Sequence, residues 1–142
     1  MDAIIYEDTE IYVQRESSEV PWLKIFTKEP AKELGDLPKS LRKRLWEVYD
    51  IIEFYMKRYY KPKKINMASF GNMLPRVHIH IMARFEEDSY FPNPMWGKKL
   101  RDAKLNLPSE ERFYQELHMA LANQFASLQS DRRRSRTERR KP

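Results

Sequence analysis

The chain has 142 residues, of which 41% are hydrophobic and 13% aromatic, enough for one domain with a real core. It lacks cysteine, a membrane-length apolar run and an N-terminal signal pattern, which excludes disulfides and thiolate metal sites and predicts a cytoplasmic protein with no membrane partner. The net charge is +6, a value that as an average suggests a nucleic-acid surface.

That charge is uneven along the chain. Residues 131–142 hold seven basic and two acidic residues, a net +5, so residues 1–130 carry only +1. Apolar residues also cease after Ser130, which predicts disorder. We therefore expect a domain over residues 1–130 and a basic, disordered tail over residues 131–142. Such a tail is either a solvated extension or a contact for RNA or DNA phosphates.

Three short β-rich runs open the chain. Ile4–Tyr6 and Ile11–Val13 flank a polar turn, which predicts a hairpin. Trp22–Thr27 follows a proline and predicts a third strand. A short helix is expected over residues 31–37.

Two helices are predicted further along. From Ser40 to Tyr59, apolar residues recur at spacings of three and four, and Ser40 or Asp36 is the expected cap. The second helix begins at Ser109, with acidic residues in its first turn. Its apolar stripe consists of Phe113, Leu117, Leu121, Phe125 and Leu128.

Two further strands lie between the helices. Lys64–Phe70 and Arg76–Phe85 are separated by a turn at Gly71, which predicts an antiparallel pair. The proline-rich run Phe91–Gly97 predicts an ordered loop. The fold class is therefore α+β, an antiparallel sheet of about five strands with two main helices.

The strand Arg76–Phe85 divides by parity into an apolar face and a polar face, because strand side chains alternate. The polar face carries Arg76, His78, His80, Met82 and Arg84, so two imidazoles and two guanidiniums are expected on one surface. Three interpretations stay open: inert histidines on a solvated face, two ligands of a metal ion, or phosphate chemistry with a histidine nucleophile. The third histidine of the chain, on the second helix, is the remaining candidate imidazole ligand, and the arginines would repel a cation.

The stretch from Lys64 to Gly97 resembles the histidine triad family of nucleotide hydrolases and transferases. That family's motif is His-x-His-x-His, followed by two apolar residues and often Pro-Arg. Here the ending Ile81-Met82-Ala83-Arg84 aligns His80 with the third histidine, His78 with the middle one and Arg76 with the first. The surrounding residues are similar to a bacterial branch of dinucleoside-polyphosphate-hydrolase-like proteins, in which the first histidine is often replaced. They are Asn66, Gly71-Asn72-Met73-Leu74-Pro75 and the run from Asp88 to Gly97. A weaker likeness extends over roughly residues 3–100.

The resemblance implies a histidine-triad fold, a homodimer and a covalent mechanism. The middle histidine, His78, attacks the α-phosphate and carries the nucleotidyl group until water or another acceptor removes it. His80 contacts the phosphate or the departing oxygen. Asn66 and Asn72 bond phosphate or orient the histidines, and the N–H of Met73 helps to bind phosphate.

The resemblance also implies a nucleotide substrate and no required cofactor or protein-bound metal, with a divalent cation accompanying a polyphosphate. Arg76 is expected to stabilise phosphate charge, Glu16 to lie near the ribose hydroxyls and Trp96 to border a nucleoside pocket. Packing is the alternative for Trp96, and a solvated carboxylate for Glu16. Because the triad is incomplete, two other functions stay open: a nucleotide-binding sensor or scaffold without turnover, and a nucleic-acid-associated protein that uses its tail.

Overall fold

The computed structural model describes residues 3–128, in which five strands and two α-helices form. The strands are β1 (Ile4–Glu7), β2 (Ile11–Arg15), β3 (Trp22–Thr27), β4 (Lys64–Ala68) and β5 (His78–Arg84). The helices are α1 (Lys39–Tyr60) and α2 (Glu110–Gln124). The predicted α+β class, with its antiparallel sheet and two main helices, is confirmed.

The five strands form one sheet in the order β1-β2-β3-β5-β4, and every neighbouring pair is antiparallel. The last strand in sequence, β5, is inserted between β3 and β4 and is therefore hydrogen-bonded along both sides. All seven of its residues are buried. This position fixes the orientation of every side chain on β5, including both histidines.

One face of the sheet is covered by the helices. The helix α1 packs against β3 and β5, while α2 packs against β1 and α1. The apolar stripe of α1 is buried as the spacing of its sequence predicts, and so is the inner face of the sheet. The buried residues of this layer include Leu41, Leu45, Val48, Ile52, Met56, Val13, Leu23, Ile25, Ile79 and Ile81.

The helix ends differ partly from the prediction. The N-cap of α1 is Pro38 and no side chain caps it, so the caps expected at Ser40 and Asp36 are wrong. Asp36 instead closes a short 3₁₀ turn, where its carboxylate accepts from the backbone N–H of Glu33 at 3.1 Å. The cap of α2 is confirmed, because the Ser109 hydroxyl accepts from Arg112 N–H at 3.2 Å.

The strands that flank the central turn are shorter than predicted. The strand β4 ends at Ala68, and Arg76 lies outside β5 because its N–H bonds the carbonyl of Leu74 at 2.7 Å in a turn. Gly71 has φ = +70°, a left-handed conformation that glycine adopts without steric cost. The connection is therefore a structured loop of residues 69–77.

Two expectations concern parts of the chain beyond this description. The basic tail at 131–142 lies outside the described residues, so the domain boundary at residue 130 stays a prediction. Over residues 3–128, neither helix combines the length and apolar character needed to cross a bilayer.

Candidate active site

The second face of the sheet carries both histidines of β5. In the antiparallel register, His80 lies opposite Lys24 and His78 lies opposite Phe26 on β3. The two imidazoles are 8% and 9% exposed, so the expectation that they lie on a solvated face is wrong. Their ring centroids are 4.9 Å apart. Two titratable rings therefore share one largely dry surface.

The ring of His78 is held by two contacts. Its Nδ1 lies 2.9 Å from the carbonyl oxygen of Arg76, which only accepts hydrogen bonds, so Nδ1 carries a proton. In the neutral ring, Nε2 then keeps its lone pair. The ring also stacks on Phe26, with centroids 4.9 Å apart and planes 14° from parallel, and Phe26 stacks in turn on Tyr12. These contacts hold the ring in place and leave Nε2 with an available lone pair.

The ring of His80 has the opposite arrangement. The indole Nε1–H of Trp22 donates to its Nδ1 at 3.0 Å, so this Nδ1 carries a lone pair and the proton of the neutral ring is on Nε2. Burial, together with the nearby charges of His78 and Lys24, lowers the pKa of His80 to about 4. Near neutral pH, His80 is therefore an uncharged hydrogen-bond donor.

Both histidines line a cleft of about 410 Å³. The remaining lining residues come from the loop between β4 and β5 and from the loop after β5: Phe70, Gly71, Asn72, Met73, Leu74 and Trp96. No carboxylate, lysine or arginine is among these described lining residues. Met73 is 99% exposed and Trp96 about half-exposed, so the mouth of the cleft offers apolar surface to a ligand.

The structure brings some predicted site residues into this cleft and leaves others outside it. Asn72, Met73 and Trp96 lie beside the histidines. Asn66 lies outside the lining, and its Oδ1 accepts from Arg84 at 2.8 Å. Glu16 pairs with Lys24, the residue opposite His80, at 2.8 Å.

Neither of the two predicted guanidiniums is among the described residues that line the cleft. The guanidinium of Arg76 donates to the backbone carbonyl of Thr27 and lies 5.6 Å from the centroid of Phe26. The guanidinium of Arg84 is 1% exposed and donates to both oxygens of Asp88 at 2.9 and 3.1 Å. Alternation along the strand predicted these residues on the histidine face, but each guanidinium bonds protein groups outside the cleft lining.

The Arg84–Asp88 pair supports the loop that carries Trp96. Besides the ion pair, the carboxylate of Asp88 accepts from the backbone N–H groups of Phe85, Tyr90 and Phe91 at 2.8–3.0 Å. Burial alone would raise the pKa of Asp88, but the bond from Arg84 and these backbone bonds outweigh it and hold that pKa below its usual value. The loop is therefore fixed from inside by a charged, fully bonded network.

Sequence reasoning missed the hydrogen bond from Trp22 to His80 and the stacking of Phe26 on His78. As alternate residues of β3 they share a face with each other, and this parity was readable from the sequence. Which face meets the histidines depends on the register between β3 and β5, which are far apart in sequence. Phe70 and Leu74 also lie in the cleft, without a chemical signature that singles them out.

The described residues contain no group of three His, Asp or Glu side chains placed to hold a metal ion. His118, the remaining histidine, lies in another cavity, and its Nδ1 donates to the carbonyl of Ile5 at 2.9 Å. It is therefore separate from the pair on β5.

Known structures share this architecture. The chain is similar to a histidine triad protein from Bradyrhizobium japonicum, with 25% identity, coverage of 83% of this chain and 89% of the other, and a TM-score of 0.69. It is also similar to a histidine triad protein from Marinobacter aquaeolei, with 23% identity, coverage of 89% and 90%, and a TM-score of 0.66. A third, from Sinorhizobium meliloti, has 22% identity, coverage of 86% and 89%, and a TM-score of 0.66.

The sequence itself matches the model of the HIT domain family over residues 1–87. No curated protein matches the chain. The family match covers more than half of the sequence, including β1 to β5 and both histidines of the cleft. On this evidence the chain belongs to the HIT domain family.

Proposed function

We propose that the chain is a nucleotide hydrolase or nucleotidyl transferase in which His78 attacks the α-phosphate of a dinucleoside polyphosphate. The observation that carries this proposal is the opposite proton arrangement of two rings 4.9 Å apart. His78 offers a lone pair on Nε2, and His80 offers a proton on Nε2. A nucleophile beside a neutral hydrogen-bond donor is the pair that phosphoryl transfer requires.

In the first step, the Nε2 lone pair of His78 forms a bond to the α-phosphorus. The bond from phosphorus to the bridging oxygen breaks, and the leaving phosphate arm departs with that electron pair. The imidazole then carries the nucleotidyl group and a positive charge, while Nδ1–H stays bonded to the Arg76 carbonyl. In the second step, water adds to phosphorus and loses a proton to solvent, and the N–P electron pair returns to Nε2.

The carbonyl of Arg76 explains how the reaction proceeds without the first histidine of the motif. The orientation of the nucleophile needs an acceptor at Nδ1, and a backbone carbonyl meets that need whatever side chain precedes it. The guanidinium of Arg76 bonds Thr27, so the replacement leaves the His78 bond intact.

The protonation of His80 bears on the leaving group. With a pKa of about 4, His80 is uncharged near neutral pH and stabilises charge by hydrogen bonding. A phosphate arm departs as a stable anion and needs no proton from the protein. An amine must gain one, so a phosphoramidate is the poorer substrate for this pair.

The lining of the cleft supports a nucleoside and a cation-bound polyphosphate. The exposed rings of Phe70 and Trp96, 4.8 Å apart, give the base an aromatic surface. Because the described residues of the cleft lining include no lysine or arginine, we expect a divalent cation that arrives with the substrate to neutralise the polyphosphate. Asn72 and the N–H of Met73 remain our candidates for phosphate contacts. Asn66, Arg76 and Glu16 are candidates for substrate contacts only after their present partners move.

The test is the turnover of a dinucleoside tetraphosphate and an adenosine phosphoramidate by the wild type and His78→Ala. We expect cleavage of the tetraphosphate with Mg²⁺, and a loss of about a thousandfold or more in kcat without the nucleophile. Rapid quench into base, which preserves N–P bonds, should trap a nucleotidyl group on the wild type alone. His118→Ala is the matched control and should keep wild-type turnover, since His118 lies in a separate cavity.

Nucleotide binding without cleavage of either substrate would contradict this proposal. It would favour the sensor function, in which His78→Asn leaves nucleotide affinity nearly unchanged. Cleavage that persists in His78→Ala would contradict the assignment of the nucleophile.

A further inference from the structure

Trp22 makes a contact with the histidine pair that the proposed reaction does not yet use. Its indole Nε1 lies 3.0 Å from Nδ1 of His80, and both side chains are buried. An indole nitrogen only donates hydrogen bonds. The nitrogen that it meets must therefore carry a lone pair.

This bond determines both the charge and the orientation of the His80 ring. A second proton on His80 would place two N–H groups against each other, so the bond favours the neutral ring. A flip of the ring by 180° would replace Nδ1 with a carbon atom and lose the bond. The bond thus selects one neutral form in one orientation, with the proton on Nε2.

The other groups around His80 also favour its neutral ring. Lys24 of β3 and His78 of its own strand are the charged or titratable groups that face it, and both disfavour a second positive charge. Glu16 pairs with Lys24 at 2.8 Å and offsets part of its charge. Phe70 and Trp96 are apolar rings at 6.5 and 5.0 Å, which exclude water from the imidazole.

We propose that Trp22 is a positioning residue of the reaction, which holds His80 as a neutral Nε2–H donor beside the nucleophile His78. This inference rests on the proposed function for its consequence in catalysis, but its structural part can be tested without turnover. Without the indole bond, His80 takes up a proton at higher pH, and its ring is free to flip. A charged His80 would disfavour a cationic His78, which is the form that exists while the nucleotidyl group is attached.

The structural test is nuclear magnetic resonance of ¹⁵N-labelled protein. In the wild type we expect a scalar coupling across the bond from Trp22 Nε1–H to His80 Nδ1, and a His80 ring that stays neutral down to about pH 5. Trp22→Phe keeps an aromatic ring but removes the donor. We expect the protonation midpoint of His80 to rise by about one pH unit in this variant.

Trp96→Phe is the matched control for this measurement. Trp96 contacts the same imidazole, with centroids 5.0 Å apart, and no hydrogen bond joins the two side chains. Both substitutions remove an indole N–H and shrink a ring that contacts His80 edge-on, with centroids 5.7 and 5.0 Å from the imidazole. The midpoint of His80 should therefore rise in Trp22→Phe and stay near the wild-type value in Trp96→Phe.

The catalytic test compares kcat and KM of the wild type and Trp22→Phe between pH 5 and pH 8. We expect kcat to fall about tenfold, the value of one hydrogen bond, with a smaller change in KM. The loss should grow toward pH 5, where the variant His80 gains its proton. A tryptophan that acts through packing alone would lower stability without moving the acid limb of the pH profile.

Two results would overturn the role of Trp22. One is a wild-type spectrum that lacks the scalar coupling or shows a proton on His80 Nδ1. This measurement uses the wild type alone, so it does not depend on a variant that folds. The other is an unchanged midpoint in Trp22→Phe. A chain that shows the coupling and the shifted midpoint but cleaves no nucleotide would instead contradict the proposed function and leave the indole–imidazole contact established.

Discussion

The two histidines of β5 have the same side chain and different chemistry, because one nitrogen of each meets a different partner. A carbonyl oxygen fixes the proton on Nδ1 of His78, and an indole N–H fixes the lone pair on Nδ1 of His80. Neither partner is a titratable group. Because neither partner changes its own protonation, the two neutral rings do not exchange their roles when the pH changes.

Phe26 provides the first prediction at the scale of single residues. Its ring stacks on His78 with centroids 4.9 Å apart, and an aromatic face stabilises a cation placed over it. In the proposed mechanism the imidazole is positive while it carries the nucleotidyl group, so Phe26→Leu should lower kcat about tenfold. The free energy of unfolding should fall by about 1 kcal/mol. Steady-state kinetics and urea denaturation of the same samples check both effects.

Tyr12→Leu is the control for that prediction. Tyr12 stacks on the opposite face of Phe26, with centroids 4.9 Å apart. Its substitution therefore removes a similar ring contact, one layer away from His78. We expect kcat to change less than about threefold. Equal losses in the two variants would mean that the stack acts through stability and not through the charge of His78.

At the scale of elements, β5 shows what a strand pattern reveals and what it leaves out. The alternation of Ile79 and Ile81 with His78 and His80 predicted the buried apolar face and the shared face of the imidazoles, and both are confirmed. The contact with Trp22 was beyond prediction because it depends on the register of a strand 58 residues away. Local periodicity determines faces, whereas register requires the three-dimensional pairing.

The fate of Arg84 illustrates the same limit. Strand parity placed it with the histidines, but the chain turns after Phe85 and brings Asp88 back to its guanidinium. Asp88 in that turn also bonds three backbone N–H groups. A carboxylate four residues away on a straight strand would be out of reach, so only the turn makes the pair.

The Arg84–Asp88 pair gives a prediction for the loop after β5. Asp88→Asn leaves the guanidinium, 1% exposed, without its counter-charge, which should cost about 3 kcal/mol of unfolding free energy. The pKa of Asp88 is lowered in the folded chain, so its contribution is present above about pH 4 and is lost as the pH falls through the folded pKa. Denaturation between pH 2 and pH 7 should show that the difference between wild type and variant shrinks toward the acid end.

Asp102→Asn is the comparison for this loop. Asp102 pairs with Lys99 at 2.7 Å on the surface, and exposed pairs contribute little to stability. The variant should denature like the wild type. An Asp88→Asn chain that is as stable as Asp102→Asn would show that the buried carboxylate does not hold the loop.

At the scale of the whole molecule, the two edges of the sheet are unequal. On β1, the carbonyl of Ile5 is already bonded by His118 of α2. On β4, Met67 is 46% exposed, and a cavity of about 450 Å³ lies between the strand and α1. An open strand edge with exposed apolar side chains is a template for pairing with another chain. We therefore expect the homodimer that the family resemblance implies to form at β4.

Met67→Lys tests this expectation, since edge lysines block strand pairing. Light scattering during size-exclusion chromatography should give about twice 17.3 kDa for the wild type and 17.3 kDa for the variant. Ile4→Lys, at the β1 edge, should remain a dimer. Phe70 and Trp96 line both the cavity beside β4 and the cleft of the histidines, so a dimer at this edge would cover part of the rim of the cleft. Loss of the dimer should then raise KM. A monomeric wild type would contradict the expected dimer at β4, because each cleft would then be complete in one chain.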